Sequence, residues 1–179
     1  MFTQQDLETF CEKLKNGHVV AAPAEGVYGY CADPFNVDAL EKLLAIKNRT
    51  AGKGFITLIK DWDDLKQLVR PLSAHEKRTL ETYWPGQVTV VLPAAKGLPP
   101  LLTGGRDTIA VRMPKADYMQ NYLHAWGAPL ISTSANLSGH PPATTTADLF
   151  DGIFALENKT PLKGGVSTVI DFATGAHLR

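Results

Sequence analysis

The chain has 179 residues, 44% of them hydrophobic and 20% charged, which suits one globular domain with a full-sized core. Its 18 Lys plus Arg balance its 18 Asp plus Glu, so no global field draws it to nucleic acid or a membrane surface, and a basic site must be a local cluster. No run approaches the roughly 18 apolar residues that span a bilayer, and the opening MFTQQDLETF lacks the features of a signal peptide. Cys11 and Cys31 show no metal-ligand spacing and are expected to be free thiols in a reducing cytosol.

Thr3 caps a predicted helix over about Gln4 to Asn16, with Leu7, Phe10, Cys11 and Leu14 at helical spacing. Val19 to Ala22 reads as a short buried strand, broken at Pro23-Ala24-Glu25-Gly26, and Val27 to Ala32 resumes as extended chain. Glu25 at the bend reads equally as a solvated turn carboxylate or as a group facing a ligand. Asn36 caps a second helix, striped by Val37, Leu40, Leu43 and Leu44 and ending near Ile46. Lys47-Asn48-Arg49-Thr50-Ala51-Gly52-Lys53-Gly54 follows, with three cations in seven residues. Cations at a helix C-terminus complement its dipole, which accounts for Lys47 and Arg49 but does not ask for Lys53. A phosphate site would use all three.

Phe55 to Ile59 is the next predicted strand, Trp62 to Val69 a short helix, and Ser73 with Glu76 opens another that runs to Tyr83-Trp84. Gln87 to Leu92 is a β-branched strand, and Pro93 to Gly105 a long loop, of a length that is more often functional than idle. Thr108 to Met113 alternates as a strand and places Arg112 just before Pro114. That arginine suits either an edge charge against aggregation or an anion ligand. A helix over Asp117 to Trp126 leads into Pro129-Leu130-Ile131, the end of a buried strand, which empties into Ser132, Thr133, Ser134, Asn136 and Ser138. Such a stretch is a polar turn by composition. At the carboxyl end of a strand in an open α/β sheet it is also where ligands bind. A short helix after Thr146, a strand over Ile153 to Leu156, a flexible Lys163-Gly164-Gly165 and a last strand over Ser167 to Asp171 complete the chain. Asn158-Lys159-Thr160 matches a glycosylation acceptor but carries no weight without a secretion signal.

There is no phosphate-loop motif, no dinucleotide fingerprint and no nucleophile elbow in the sequence. The five histidines are scattered, without paired metal spacing. What remains is cations and small hydroxyls at strand ends, a set that suits a polyanion and charge stabilisation during displacement at phosphorus.

Several segments, in order, resemble one family. Lys47-Asn48-Arg49 looks like its K-x-R element and Ser134-Ala135-Asn136 like its S-x-N element. Pro23 to Gly29 is similar to its P-T-E-x-x-Y-G segment, Trp84-Pro85-Gly86 with Val88-Thr89 to W-P-G-x-x-T, Ala110 to Pro114 to A-V-R-x-P, and Gly165 to Val169 to a late G-x-x-S-T-[IV] strand. The family is YrdC/Sua5, the threonylcarbamoyl-AMP synthases, and the chain most resembles the short bacterial TsaC (YrdC) type.

The resemblance implies an α/β fold: one domain over residues 1–179, a twisted mixed sheet flanked by helices and related to DHBP synthase, with a concave basic cavity. It implies a nucleotidyltransferase that turns L-threonine, bicarbonate and ATP into L-threonylcarbamoyladenylate and pyrophosphate. Partner proteins of the t6A pathway then modify adenosine 37 of tRNAs that read ANN codons. By motif, Lys47, Arg49, Lys53, Ser134, Asn136 and Arg179 serve ATP, with Lys47, Arg49, Ser134 and Asn136 at the reaction centre. Arg112, Ser167 and Gly26 serve threonine or bicarbonate. Mg²⁺ is expected with ATP, its protein ligands unassigned; the expected location is the cytoplasm.

Departures from the family pattern include Ala24 for the usual Thr, Gly26 and Leu58 where the longer form has Thr and His, Gly54 for Pro, and an end at Arg179 before any P-G. They predict threonine contacts that differ in part, with backbone or water in place of side chains, and a short or mobile terminus. Two other readings use the same residues. One is a non-enzymatic RNA or tRNA-binding module, opposed by the neutral charge. The other is carbamoyl-adenylate chemistry as in hydrogenase-maturation proteins, which are much longer chains.

Overall fold

The computed structural model describes residues 2–159, 162–163 and 165–179. Seven strands form one mixed sheet: β1 (Val20–Ala24), β2 (Val27–Ala32), β3 (Ile56–Leu58), β4 (Val88–Pro93), β5 (Thr108–Arg112), β6 (Leu130–Ser134) and β7 (Thr168–Asp171), in spatial order β1-β2-β6-β3-β5-β4-β7. The β3–β5 and β4–β7 pairs are parallel and the others antiparallel. Helices cover both faces: α1 (Gln4–Lys15), α2 (Val37–Lys47), α3 (Trp62–Leu65), α4 (Ala74–Leu80), α5 (Pro100–Thr103) and α6 (Asp117–Trp126).

The period-two alternation of strand side chains divides the core into two layers. On one face Val20, Ala22, Cys31, Leu58 and Leu130 meet Leu7, Phe10 and Leu14 of α1 and Met119, Tyr122 and Leu123 of α6. On the other, Ala21, Tyr28, Tyr30, Val90, Val111 and Ile131 meet Leu40 and Leu43 of α2, Leu65 of α3, Leu80 of α4 and Leu102 of α5. Local signals set the helix starts as the sequence suggests. Thr3 with Asp6 and Ser73 with Glu76 close reciprocal capping boxes, and the Asn36 side chain accepts from Ala39 N.

Several expectations need correction. β1 continues through Pro23 to Ala24, and Ala24 pairs with Val27, so only Glu25 and Gly26 make the reversal. The strand expected to end at Ile131 runs on to Ser134, because Ser132, Thr133 and Ser134 pair with Cys31, Tyr30 and Gly29 of β2. The long loop after β4 contains α5, started by Pro100 and stopped by Gly104 in the left-handed region. Ile153 to Leu156 contributes one bridge, Ala155 to Ala21, rather than a strand. The helix expected after Thr146 is a single 3₁₀ turn, Thr146–Asp148. Gly164 of the predicted flexible segment and Thr160 of the acceptor tripeptide lie outside the described residues. Both cysteines are free, and no helix among the described residues is long and apolar enough to cross a membrane.

Candidate active site

The hydroxyl-rich end of β6 meets the carboxyl end of α2 across the middle of the sheet. Lys47 is the last residue of α2, and Asn48 caps the helix at φ 46°, in the left-handed region. This reversal sends Lys47 and Arg49 to different places. Lys47 is 2% exposed. Its Nζ donates to Ser134 O, to Asn136 O at 3.1 Å and to Asn136 Oδ1 at 2.9 Å. Ser134 Oγ donates to the same Oδ1 at 2.8 Å, and Asn136 Nδ2 donates to His140 O at 2.5 Å. Ser138 N donates to Lys47 O at 3.0 Å. The ammonium therefore pins the Ser134–Asn136 turn from behind. Burial, and secondarily the charge of Arg49, lower its pKa to about 8.

Arg49 lies on the open side. Its Nη2 donates to Gly54 O at 2.8 Å, its Nη1 reaches Thr133 Oγ1 at 3.4 Å, and its guanidinium sits 5.3 Å from the Phe55 ring centre. Burial and then the nearby Arg106 lower its pKa. Arg49 borders a cavity of about 220 Å³ that runs across the ends of β2, β6, β3 and β5. Among the described residues, five cations line it, Arg49, Lys53, Arg106, Arg112 and Arg179, and no carboxylate side chain does. Hydroxyls of Ser132, Thr133, Ser134, Thr108 and Ser167 supply neutral donors and acceptors.

Two close approaches shape this cavity. A Cβ on Gly29 would come within 2.4 Å of Ser132 Oγ, so a larger residue there requires that hydroxyl to turn away. A Cβ on Gly104, whose φ is 68°, would come within 2.5 Å of Gly54 N. The turn Ala51–Lys53 and the segment after α5 are thus packed backbone to backbone. Arg106 Nη2 joins them through Gly52 O at 2.8 Å.

At the far end, Arg112 is 5% exposed, pairs with Glu25 and donates through Nε to Gly86 O at 3.0 Å. Arg179 donates to Ser167 O at 3.3 Å and approaches Ser167 Oγ at 3.4 Å, while Ser167 Oγ lies 2.9 Å from Thr89 Oγ1. The chain end is held by Val169 N donating to Arg179 O and Leu178 N donating to Val169 O.

Of the residues singled out from the sequence, Arg49, Lys53, Arg112, Ser134, Ser167 and Arg179 line one cavity. Lys47, Asn136 and Gly26 do not line it. The first two stand behind Ser134, and Gly26 sits in the β1–β2 reversal. Arg106 and Thr108 were missed. The signal available for Arg106 was Gly104-Gly105-Arg106 at the end of a long loop, but nothing in one dimension joins that loop to Gly52. Leu58 lines the cavity as an apolar contact.

No group of three or more His, Cys, Asp or Glu able to hold a metal exists among the described residues. The donor set of the cavity, cations and hydroxyls, is wrong for Mg²⁺, which prefers carboxylates and phosphates.

A family model, Sua5/YciO/YrdC, described as "Telomere recombination", matches residues 12–179. The threonylcarbamoyl-AMP synthase of Thiobacillus denitrificans is 39% identical over 170 residues, spanning 93% of this chain and 90% of that protein. That of Nitrosococcus oceani is 38% identical, spanning 93% and 92%. Among solved structures, P. abyssi Sua5 complexed with L-threonine superposes with a TM-score of 0.86 at 30% identity, covering 96% of this chain but 52% of that one. E. coli YciO shares the fold, with a TM-score of 0.76 at 24% identity, covering 94% and 84%. The chain belongs to the Sua5/YciO/YrdC family.

Proposed function

We propose that the protein is an L-threonylcarbamoyladenylate synthase, joining L-threonine, bicarbonate and ATP with release of pyrophosphate. The observation that carries this reading is the cavity wall: among the described residues, five cations and several strand-end hydroxyls, with no carboxylate side chain. That wall suits a triphosphate and two further anionic groups at once. The names of the bacterial relatives and the threonine bound to P. abyssi Sua5 support the same reading.

In this mechanism the ammonium group of threonine and bicarbonate give a carbamate, with loss of water and a proton. A carbamate oxygen attacks the α-phosphorus and pyrophosphate leaves. No side chain has to form a covalent bond; the protein positions three substrates and offsets charge. Arg49 and Lys53 neutralise phosphate oxygens, Arg49 through a fork already oriented by Gly54 O and Thr133 Oγ1. Ser134 presents its hydroxyl to the α-phosphate or the carbamate. Lys47 and Asn136 act behind it, fixing the turn that aims that hydroxyl. Arg112 meets the threonine carboxylate, and Ser167 with Arg179 closes the cavity on the β7 side. Mg²⁺ enters as MgATP, held by its phosphates, since the cavity offers it no carboxylate.

The product is a mixed anhydride whose threonylcarbamoyl group is activated for transfer. In the proposed pathway, partner proteins of t6A synthesis in the cytoplasm move it to adenosine 37 of tRNA. Purified protein with ATP, L-threonine and labelled bicarbonate should give labelled adenylate and one pyrophosphate per turnover, dependent on threonine. Absence of threonine-dependent pyrophosphate, under conditions where a bacterial relative turns over, rejects the proposal.

A further inference from the structure

Strand β4 sends Val90 and Leu92 into the core and turns Thr89 and Val91 to the opposite face. Val91 lines the cavity there, whereas Thr89 does not and is fully buried. Valine would suit such a position equally well as a β-branched strand residue, with no polar atom to satisfy. What threonine adds is a hydroxyl, and a buried hydroxyl needs a partner.

Its partner is Ser167. Thr89 Oγ1 and Ser167 Oγ lie 2.9 Å apart, at the start of the parallel β4–β7 pair in which Thr89 stands opposite Val169. By distance alone either oxygen can donate, but the surroundings choose. Thr89 Oγ1 has no other hydrogen bond among the described residues. With Ser167 as donor, the Thr89 hydrogen would be buried without an acceptor, which carries the full cost of its desolvation. Thr89 is therefore the donor. Ser167 Oγ is also approached by Arg179 Nη2 at 3.4 Å, and a guanidinium can only donate. Both contacts thus fall on the lone pairs of Ser167 Oγ. Its own hydrogen is left over, with no acceptor among the described residues. Ser167 and Arg179 line the cavity, so that hydrogen is available to an acceptor bound there.

We propose that Thr89 is a positioning residue that makes Ser167 a one-way hydrogen-bond donor to a substrate oxyanion. This rests on the synthase reading and adds to it a residue outside the cavity. Phosphates, carboxylate and carbamate present acceptors, and a serine free to rotate would meet them part of the time with a lone pair. With Thr89 filling one lone pair and Arg179 the other, Ser167 offers only its hydrogen. The dipole is oriented before substrate arrives and need not be reorganised during the reaction.

A double-mutant cycle on the full chain tests this. Pyrophosphate release gives kcat/KM, with each substrate varied in turn, for wild type, Thr89→Val, Ser167→Ala and the variant carrying both. Thr89→Val is expected to lower kcat/KM by about tenfold, the worth of one hydrogen bond to a charged group, and Ser167→Ala by at least as much. Combining the two should fall no lower than Ser167→Ala, because Thr89 acts only through Ser167. Thr89→Ser, which keeps the hydroxyl and loses the methyl, should recover most of the loss. A hydroxyl that merely ties β7 to β4 would have an effect independent of Ser167, so additive losses overturn the proposal. Wild-type kinetics in Thr89→Val or in Ser167→Ala also overturn it, as does a Thr89→Ser variant as impaired as Thr89→Val. If Thr89→Val does not fold, Thr89→Ala removes the same donor and carries the cycle. A wild type that releases no threonine-dependent pyrophosphate overturns the synthase reading and this inference with it. Turnover with additive losses overturns this inference alone.

Discussion

Replacing Lys47 by Met separates two roles that its sequence neighbourhood cannot. From sequence, Lys47 is a phosphate ligand, and its loss should abolish product and leave the fold intact. In the structure its ammonium is spent on three oxygens of the Ser134–Asn136 turn. Asn136 O has no other hydrogen bond among the described residues, whereas Ser134 O keeps Asn136 N at 3.0 Å and Asn136 Oδ1 keeps Ser134 Oγ. The substitution thus leaves one half-buried carbonyl without a protein partner, at about 1 kcal/mol, and removes two charge-assisted bonds of about 1.5 kcal/mol each. Relief of the buried charge offsets part of this, and about 3 kcal/mol of net destabilisation remains. For a domain of this size that is a fall in Tm of about 6–12 °C. Thermal unfolding followed by circular dichroism measures it, with ATP affinity by calorimetry alongside. A Tm within about 2 °C of wild type together with lost ATP binding would refute the positioning role and restore Lys47 as a direct phosphate ligand.

Arg49→Ala should do the reverse, lowering kcat/KM for ATP by about 10²–10³ with little change in Tm, since Arg49 lies at the cavity wall; a pyrophosphate-release assay and a melt check both halves. Lys47 also predicts a pH signature. Its pKa falls from 10.5 to about 8 on folding, so between those values the unfolded chain holds a proton that the folded one has lost, and this group's contribution makes stability rise with pH. Activity should fall above about pH 8, because the neutral amine has only two hydrogens for three oxygens. Urea unfolding at pH 7.5 and 9.5, with Lys47→Met as the reference lacking the effect, tests the sign. Gly29→Ala drives a methyl to within 2.4 Å of Ser132 Oγ and should cost about 1–3 kcal/mol, read as a lowered midpoint in urea. Burial raises the Cys31 thiol to about 12, so a thiol reagent at pH 8 should modify it only at the rate of unfolding, with Leu130→Ala accelerating the reaction.

Much of this protein is local and therefore legible in one dimension. The capping residues Thr3, Asn36 and Ser73 start their helices by bonds to residues three positions on, and the alternation along Thr108 to Met113 announces β5. The cation cluster after α2 and the hydroxyls of β6 stand out as chemistry without needing a partner. Motif resemblance then joins segments that spacing alone leaves separate. What the sequence could not decide were matters of direction and of contact between distant segments. Asn48, in the left-handed region, turns Lys47 inward and Arg49 outward, although two positions part them. Arg106 joins the cavity only because Gly104 lets its backbone touch Gly54, 50 positions earlier. Glu25 acquires a partner only because β5 ends beneath the β1–β2 hairpin. Side-chain type and local hydrogen bonding determined which residues could do the chemistry, and sheet order and close glycine packing decided which of them face one another.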